Sequence, residues 1–390
     1  MQAFDREEYL ARIENTKLRM MQFGLDVLLV CDPANMNYLT GYDGWSFYTP
    51  QAVVVALAQD EPICIVRGID RNGARVTTFL DDANIIGYPD DYVQNKRKHP
   101  MDYVAEMLES RGLGRGAIGL EMDAYYFTAA GAEALHQSLP NATFKNAYTL
   151  VNWIRMIKSP RELDYMRQAA RILEMTMGVA IDAVQPGVRQ CDAAAKIMAA
   201  QASGTAEYGG DYASIVPLLP TGIGTSTPHL TWSDQPFATG EATILELAGC
   251  RRRYHCPQTR TVFLGKPPQK LVDAGKVVVE GIETVLATMR PGFTCEEVEQ
   301  IWRKVIAKAG IVKESRCGYS VGLNYPPDWG EHTISLRPGD KTVLQPDMTI
   351  HFMPGIWQDD WGVGISECIH LTETGAVALA DTPRRLIVKD

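Results

Sequence analysis

Apolar positions along roughly the first 150 residues switch between a helical and an extended period. From about Asp5 to Phe23 they recur at helical spacing and stop at Gly24, a residue suited to a left-handed C-terminal cap; "DVLLVC" follows as a short buried strand. "AVVVALA" and "PICIVR" read as further strands joined by the turn-like "QDE". A helix over 101–111, a strand at "AIGL" and a helix over 128–138 complete a mixed α/β unit. The glycine-rich "GLGRGAIG" at 112–119 follows a helix and precedes a strand. That is the reverse of the order a dinucleotide-binding loop needs, so it reads as a linking turn.

A second pattern begins at "KSPRELDYMRQAARI". Ser159 can cap a helix, Pro160 suits its first position, and Glu162 can close a capping box. Leu163, Met166, Ala170, Leu173 and Met177 then form one apolar stripe, read as core packing. Beyond it the chain repeats itself. "DAVQPGVRQCDAAAKIMAAQASG" is echoed by "ATMRPGFTCEEVEQIWRKVIAKAG", each with a Pro-Gly break before a second helix. Likewise "EATILELAG" at 241–249 is echoed by "DMTIHFMPG" at 347–355. Two α-α-β units imply half-domains about a pseudo-twofold axis, with a ligand cleft where their sheets meet. The expected class is α/β in the broad α+β sense, with domains at 1–155 and 156–390.

The length of 390 residues agrees with two cores. Hydrophobic residues at 46% and charged residues at 22% suit a soluble enzyme. No apolar run is long enough to cross a bilayer, and the charged start "MQAFDREEYLARIENTK" lacks the apolar segment of a signal peptide, so a cytoplasmic location is expected. The net charge of -9 argues against a nucleic-acid partner, and the short basic run "NKRKH" reads as a solvated loop. Eight cysteines without a CxxC pair read as reduced core residues. Cys368 and His370 share a strand face, but no second pair of matching spacing completes a metal site.

Five ordered segments, "NMNYLTGY", "IKSPRELDYMRQAA", "PTGIGTSTPH", "YHCPQTRTVFLG" and "LQPDMTIHFMPG", resemble the hallmarks of the creatinase/prolidase/methionine-aminopeptidase superfamily. The resemblance covers nearly the whole chain. It implies a creatinase-like N-terminal domain, a C-terminal pita-bread domain and a homodimer. Metal-dependent members hold two ions with two Asp, one His and two Glu, the charge and donors that paired divalent cations need. Aligned without gaps from Thr259-Arg260-Thr261, those positions fall on Glu246, Pro257, Tyr319, Met353 and Ser366, with Glu367 beside the last. Only one of these five is a carboxylate, so no metal or other cofactor is expected.

The metal-free branch of the superfamily contains the creatinase and ectoine hydrolase families. "GYDGWSFYTPQ", "RRRYHCPQTRT", "YPPDWGEHTISLRPGD" and "HFMPGIW" resemble the ectoine hydrolases, whereas creatinase carries a Glu where this chain has Thr259. The resemblance implies hydrolytic opening of the cyclic amidine ring of ectoine, and of 5-hydroxyectoine, to N-acetyl-2,4-diaminobutyrate. The alternatives are a creatinase-type amidinohydrolase, an Xaa-Pro metallopeptidase, and an inactive binding module of the same fold.

Candidate residues follow from that chemistry. Glu246 can serve as base for water or as nucleophile on the amidinium carbon; pairing with Arg251 or Arg252 is the structural alternative. His229, after Pro228, matches a family histidine that handles protons, since a neutral imidazole can both take and give one. His255 is a further catalytic candidate, although strand alternation could turn it from the cleft. Glu367 reads as counter-charge, as general acid or as a structural carboxylate. Asp328, Glu331 and His332 lie in a proline-stiffened loop expected to line the cleft, and Tyr254 and Tyr319 join the substrate-binding candidates. Trp45 and Phe47 offer cation-π binding of an amidinium, or else local core packing.

Overall fold

In the computed structural model, which describes residues 2–390, the N-terminal apolar runs pair into one sheet. Its strands are β1 (Val27–Val30), β2 (Ala52–Ala56), β3 (Ile63–Arg67), β4 (Ile85–Tyr88), β5 (Gly116–Leu120) and β6 (Ala142–Asn146), ordered β4-β3-β2-β1-β5-β6. The pairs β1/β2 and β2/β3 are antiparallel and the rest parallel. Helices α1 (Arg6–Phe23), α2 (Pro33–Thr40), α3 (Arg71–Thr77), α4 (Pro100–Ser110), α5 (Ala129–Ser138) and α6 (Leu150–Arg155) belong to the same compact unit, which ends at Arg155. Gly24 closes α1 at φ 61°, the left-handed cap its sequence predicts.

The second unit begins at Met156. Helix α7 (Pro160–Ala183) opens with a capping box: Glu162 N–H donates to Ser159 Oγ, and Ser159 N–H donates to the Glu162 carboxylate. The Leu163 to Met177 stripe is buried. Helix α8 (Gln190–Ser203), strands β7 (Ala242–Arg251) and β8 (Tyr254–Leu264), and helices α9 (Gln269–Thr288) and α10 (Cys295–Lys308) follow. Then come β9 (Gly318–Val321), β10 (Gly330–Ser335), β11 (Thr349–Phe352), β12 (Ile356–Trp357), β13 (Gly362–Val363), β14 (Glu367–Thr372), β15 (Gly375–Ala378) and β16 (Ile387–Lys389). One sheet runs β10-β9-β11-β14-β15 and another β16-β8-β7, with β12/β13 a separate ribbon.

The sequence repeat is a repeat of backbone geometry. Gly187 (φ 83°) and Gly292 (φ 94°) each turn the chain between two helices. Gly187 N–H donates to Phe237 O and Phe237 N–H returns to Val188 O; Gly292 N–H donates to Leu344 O and Leu344 N–H returns to Phe293 O. Both helix pairs are thereby pinned to a following extended segment in the same way.

Two details of β7 and β8 set the stage for chemistry. Arg252 and Arg253 both take positive φ, so the strands join through a two-residue turn whose twist suits a hairpin. Gly249 lets α7 lie against β7: a Cβ there would stand 2.0 Å from the Ala169 carbonyl oxygen. Leu245, Leu247 and Gly249 therefore occupy the helix-facing side, and alternation sends Ile244, Glu246 and Ala248 to the other. Across the ladder Glu246 faces Thr259, Ala248 faces Pro257 and Cys250 faces His255.

Pro257 costs this ladder nothing. His255 N–H donates away from β7 to Gly322 O (2.9 Å), and Thr259 N–H donates away from β7 to Ser366 Oγ (2.7 Å). The missing N–H of Pro257 lies on that same outer side, where β8 pairs with no regular strand; β16 reaches only Val262 to Leu264.

Candidate active site

Glu246 stands on the inner face of β7 with 5% of its surface exposed and no hydrogen-bond or ion-pair partner for its carboxylate among the described residues. Burial alone pushes it up to about 7. Arg251, the partner that would neutralise it, turns instead to Gln168 Oε1 and Gly209 O. A carboxylate of this kind can take a proton from water near neutral pH and give it back.

Around Glu246 the inner faces of β7, β8, β9 and β11 converge. Trp329 Nε1–H donates to Tyr319 Oη (2.9 Å), and Tyr319 Oη lies 3.0 Å from His351 Nδ1. On the other side of that ring, His351 Nε2 lies 2.7 Å from Ser366 Oγ, which also accepts from Thr259 N–H. Burial, with the Arg316 guanidinium nearby, pushes His351 down to about 3, so its ring is neutral. Burial and then the Glu246 carboxylate push the Tyr319 phenol far above its ordinary range, so it keeps its proton. Arg316 lies over the Tyr319 ring at 4.4 Å. Thr259 Oγ1, directly across from Glu246, is buried without a partner among the described residues.

His255 joins the same face. Ser214 N–H donates to its Nε2 (2.9 Å), which leaves the ring proton on Nδ1, and burial pushes the ring down to about 4. His255 is therefore a neutral, oriented imidazole on the Glu246 face of the β7/β8 ladder.

The other candidates are placed differently. Glu367 is enclosed by Arg260 (2.7 Å), Arg384 (3.1 Å) and the Gln258 amide (3.1 Å), so its charge is matched within the fold. Tyr254 donates to Glu162 Oε1 (2.8 Å), tying β8 to the first turn of α7. Glu331 pairs with Lys158 at 2.7 Å, both side chains fully buried. Asp328 holds His332 at 3.0 Å; burial would raise Asp328, but the His332 and Gly330 hydrogen bonds outweigh it and bring it below its usual value. His229 is exposed, past the short helix Gly222–Ser226, and outside the buried network. Within the N-terminal unit Phe47 packs on Tyr126 and Trp45, and Trp45 is 57% exposed.

His351 and Trp329 are the residues that sequence reasoning missed. A signal existed for each: His351 lies two residues before Met353 and so shares its strand face, and Trp329 sits inside the loop that supplied three other candidates.

Four of the five aligned metal-ligand positions come together, but what they hold does not fit a pair of metal ions. Glu246 is one carboxylate and Pro257 offers no donor. The Tyr319 phenol and Ser366 hydroxyl are already engaged with His351. At the fifth position the Met353 thioether is a soft donor, unsuited to hard divalent cations. Among the described residues no group of three His, Cys, Asp or Glu is arranged to hold a metal. Cavities of about 470 and 450 Å³ open elsewhere on this unit, one beside Arg167 and His370 and the other beside Lys270 and Trp361. Neither includes Glu246, and the convergence of polar groups makes the surroundings of Glu246 the candidate site.

Comparison with known proteins adds the following. Residues 164–373 match metallopeptidase family M24, and residues 12–157 match the creatinase/prolidase N-terminal domain. The ectoine hydrolase of Halomonas elongata is 46% identical over 393 aligned positions, covering 99% of this chain and 98% of that one. An Xaa-Pro dipeptidase of Pyrococcus horikoshii is 26% identical, with 68% of this chain and 78% of that one aligned. Among solved structures, a prolidase from Thermococcus sibiricus superposes with a TM-score of 0.84 at 20% identity, covering 99% of this chain and 100% of that one. An Xaa-Pro dipeptidase from Bacillus anthracis gives 0.81 at 21%, covering 98% and 100%. At such identities these two structures establish the shared pita-bread fold alone.

Proposed function

The chain belongs to metallopeptidase family M24, and from that premise we propose that it is a metal-independent hydrolase that opens the cyclic amidine ring of ectoine, and of 5-hydroxyectoine, to N-acetyl-2,4-diaminobutyrate. The observation that carries this is Glu246: a desolvated carboxylate with no partner among the described residues, standing where metal-dependent relatives place an acidic ligand, with no group of three metal-binding side chains among those residues. The full-length identity to an ectoine hydrolase supports the substrate.

The chemistry runs through protein side chains. An amidinium brings its positive charge beside Glu246 and is held by that charge in a buried setting. Glu246, ionised, takes a proton from water as the water oxygen bonds to the amidine carbon. The same carboxyl then gives that proton to a ring nitrogen, the carbon-nitrogen bond breaks, and the proton left on the new carbonyl oxygen passes through Glu246 to the departing amine, leaving an acetamide and an ammonium group that carries the substrate's positive charge. One group can serve in both directions because it titrates near neutrality. His255 and Tyr319, both without charge, add polarity to the cleft without repelling the cation. Trp45 and His229 are exposed in the single chain. Both fit the expected homodimer, in which a second copy would cover them, with a sedimentation mass twice that of the chain. Eight cysteines, none in a disulfide among the described residues and seven of them buried, suit a reducing cytoplasm.

The test is a substrate panel. Chelator-treated protein is offered ectoine, creatine and an Xaa-Pro dipeptide, with products followed by mass. Ectoine should gain one water while the other two stay intact. Cleavage of the dipeptide restored by manganese would replace this reading with a metallopeptidase, and cleavage of creatine would make the enzyme a creatinase.

A further inference from the structure

The geometry points to Thr259 as a second catalytic residue, whose side-chain hydroxyl and the Glu246 carboxylate hold the attacking water between them. This rests on the reading that Glu246 is the centre of the reaction. It follows from which groups of β7 and β8 still have a hydrogen bond to make.

Glu246 and Thr259 stand opposite each other in the ladder, and both turn their main chains away from it. Glu246 exchanges bonds with Leu218, its N–H donating at 3.0 Å and its carbonyl accepting at 2.9 Å. Thr259 N–H donates to Ser366 Oγ at 2.7 Å, and Thr259 O accepts from Ser366 N–H at 3.1 Å and from Arg260 Nη1 at 2.9 Å. The two residues therefore form a pair without mutual backbone bonds, the arrangement that brings facing side chains closest. Both main chains are satisfied while neither side chain is. Among the described residues the Glu246 carboxylate has no partner, and Thr259, 1% exposed, keeps Oγ1 buried without one.

The neighbours on that face do not supply the missing bonds. Ile244, Ala248 and Pro257 carry no polar side-chain atom. Thr261 Oγ1 is committed to Gly364, donating to its carbonyl at 2.8 Å and accepting from its N–H at 2.9 Å. Gly364 also makes room for the Thr259 methyl, which a Cβ at that glycine would meet at 2.8 Å. With the methyl seated there, a β-branched side chain has little freedom to turn its hydroxyl elsewhere.

A buried hydroxyl and a buried carboxylate that face each other each leave a polar group unsatisfied, which is costly. One water between them answers both needs. It gives one hydrogen to the carboxylate and the other to Thr259 Oγ1, whose own hydrogen rotates to suit its surroundings. Both hydrogens are then fixed, and a lone pair is left for the amidine carbon. As Glu246 takes the first proton and the oxygen bonds to carbon, the second stays on that oxygen against Thr259 until it leaves through Glu246. Holding the water at two points removes a search over orientations from the reacting step.

The experiment uses the full chain with ectoine. Thr259→Val keeps the shape and the methyl on Gly364 and deletes only the hydroxyl. It should lower kcat by about 10- to 10²-fold with KM nearly unchanged, the scale of a misplaced reactant. On top of Glu246→Gln the same substitution should cost almost nothing more, because Thr259 serves only the water that Glu246 activates. Thr259→Ser and Thr259→Ala differ from each other by the hydroxyl alone, so the Ser variant should exceed the Ala variant in kcat by a similar factor. If Thr259→Val does not fold, that pair decides. A crystal structure of the free enzyme should place one water within hydrogen-bond reach of both Glu246 and Thr259 Oγ1. An undiminished kcat in Thr259→Val, equal kcat for the Ser and Ala variants, a full further loss on top of Glu246→Gln, or no shared water would each overturn the inference. Full turnover in Glu246→Gln would instead remove the underlying reading, which keeps the two failures distinct.

Discussion

The role proposed for Glu246 rests on what its carboxylate lacks. A strand-borne carboxylate inside a fold normally finds an arginine or a row of N–H donors, as Glu367 does on β14. Among the described residues Glu246 has neither, and burial alone lifts it to about 7. Glu246→Gln should lower kcat/KM for ectoine by about 10²- to 10⁴-fold, as loss of a positioned acid-base group does. Wild-type kcat/KM should fall as pH drops below about 7, where the carboxylate takes up its proton.

Stability should move the opposite way. A carboxyl whose folded value is raised holds a proton in the native state that the unfolded chain has already released, so stability declines as pH climbs from 4.5 to about 7. The full loss is on the order of 3 kcal/mol, from a shift of more than two pH units at about 1.4 kcal/mol each. Glu246→Gln should therefore melt higher than wild type at pH 8 and nearly level with it at pH 4. Equal melting temperatures at pH 8 would mean that Glu246 has a partner in solution. Thr259-Arg260-Thr261 anchors the alignment, and through it the sequence points to Glu246 and Tyr319 as candidates. His351 has no such anchor: the internal repeat sets it opposite Leu245, a buried core position.

The strands explain why neighbouring residues have different fates. Gln258 and Arg260 alternate with Pro257 and Thr259, so they point away from Glu246 and toward Glu367. Arg260 and Glu367 are both fully buried and join β8 to β14. Glu367→Gln should cost about 3 kcal/mol or more of unfolding free energy in urea, since it leaves a buried guanidinium without its counter-charge. Gly249→Ala should be destabilising too, because the new methyl meets the α7 backbone and one element must move. Pro257→Asp restores one acidic side chain and no more. Tyr319, Met353 and Ser366 remain, so the variant should bind no manganese by calorimetry at micromolar concentration. Tight binding would show that the proline alone keeps metal out. Sequence reasoning could see the vacancy at Pro257 but not why the strand tolerates it, which depends on which edge of β8 its nitrogen faces.

Taken whole, the architecture was legible because it is written in periods: alternating runs in the first unit, and an echoed pair of helices with a Pro-Gly break in the second. The site was legible only where a motif fixed the register. Tyr254, Glu331 and Glu367 are polar residues near that register whose partners, Glu162, Lys158 and Arg260, come from elements distant in sequence. Such pairings are invisible until the chain is folded. What emerges is a pita-bread unit in which Tyr319 and Ser366, two of the aligned ligand positions, are joined through His351, and Glu246, a third, has no partner among the described residues. The most direct test is to measure ectoine turnover and metal content together, on protein dialysed against chelator, for wild type and Glu246→Gln. Wild type should turn over at an undiminished rate with less than about a tenth of a metal ion per chain, and Glu246→Gln should be at least about 10²-fold slower under the same conditions. Activity that disappears with the metal and returns with it, or a fully active Glu246→Gln, would contradict a reaction run by the glutamate alone.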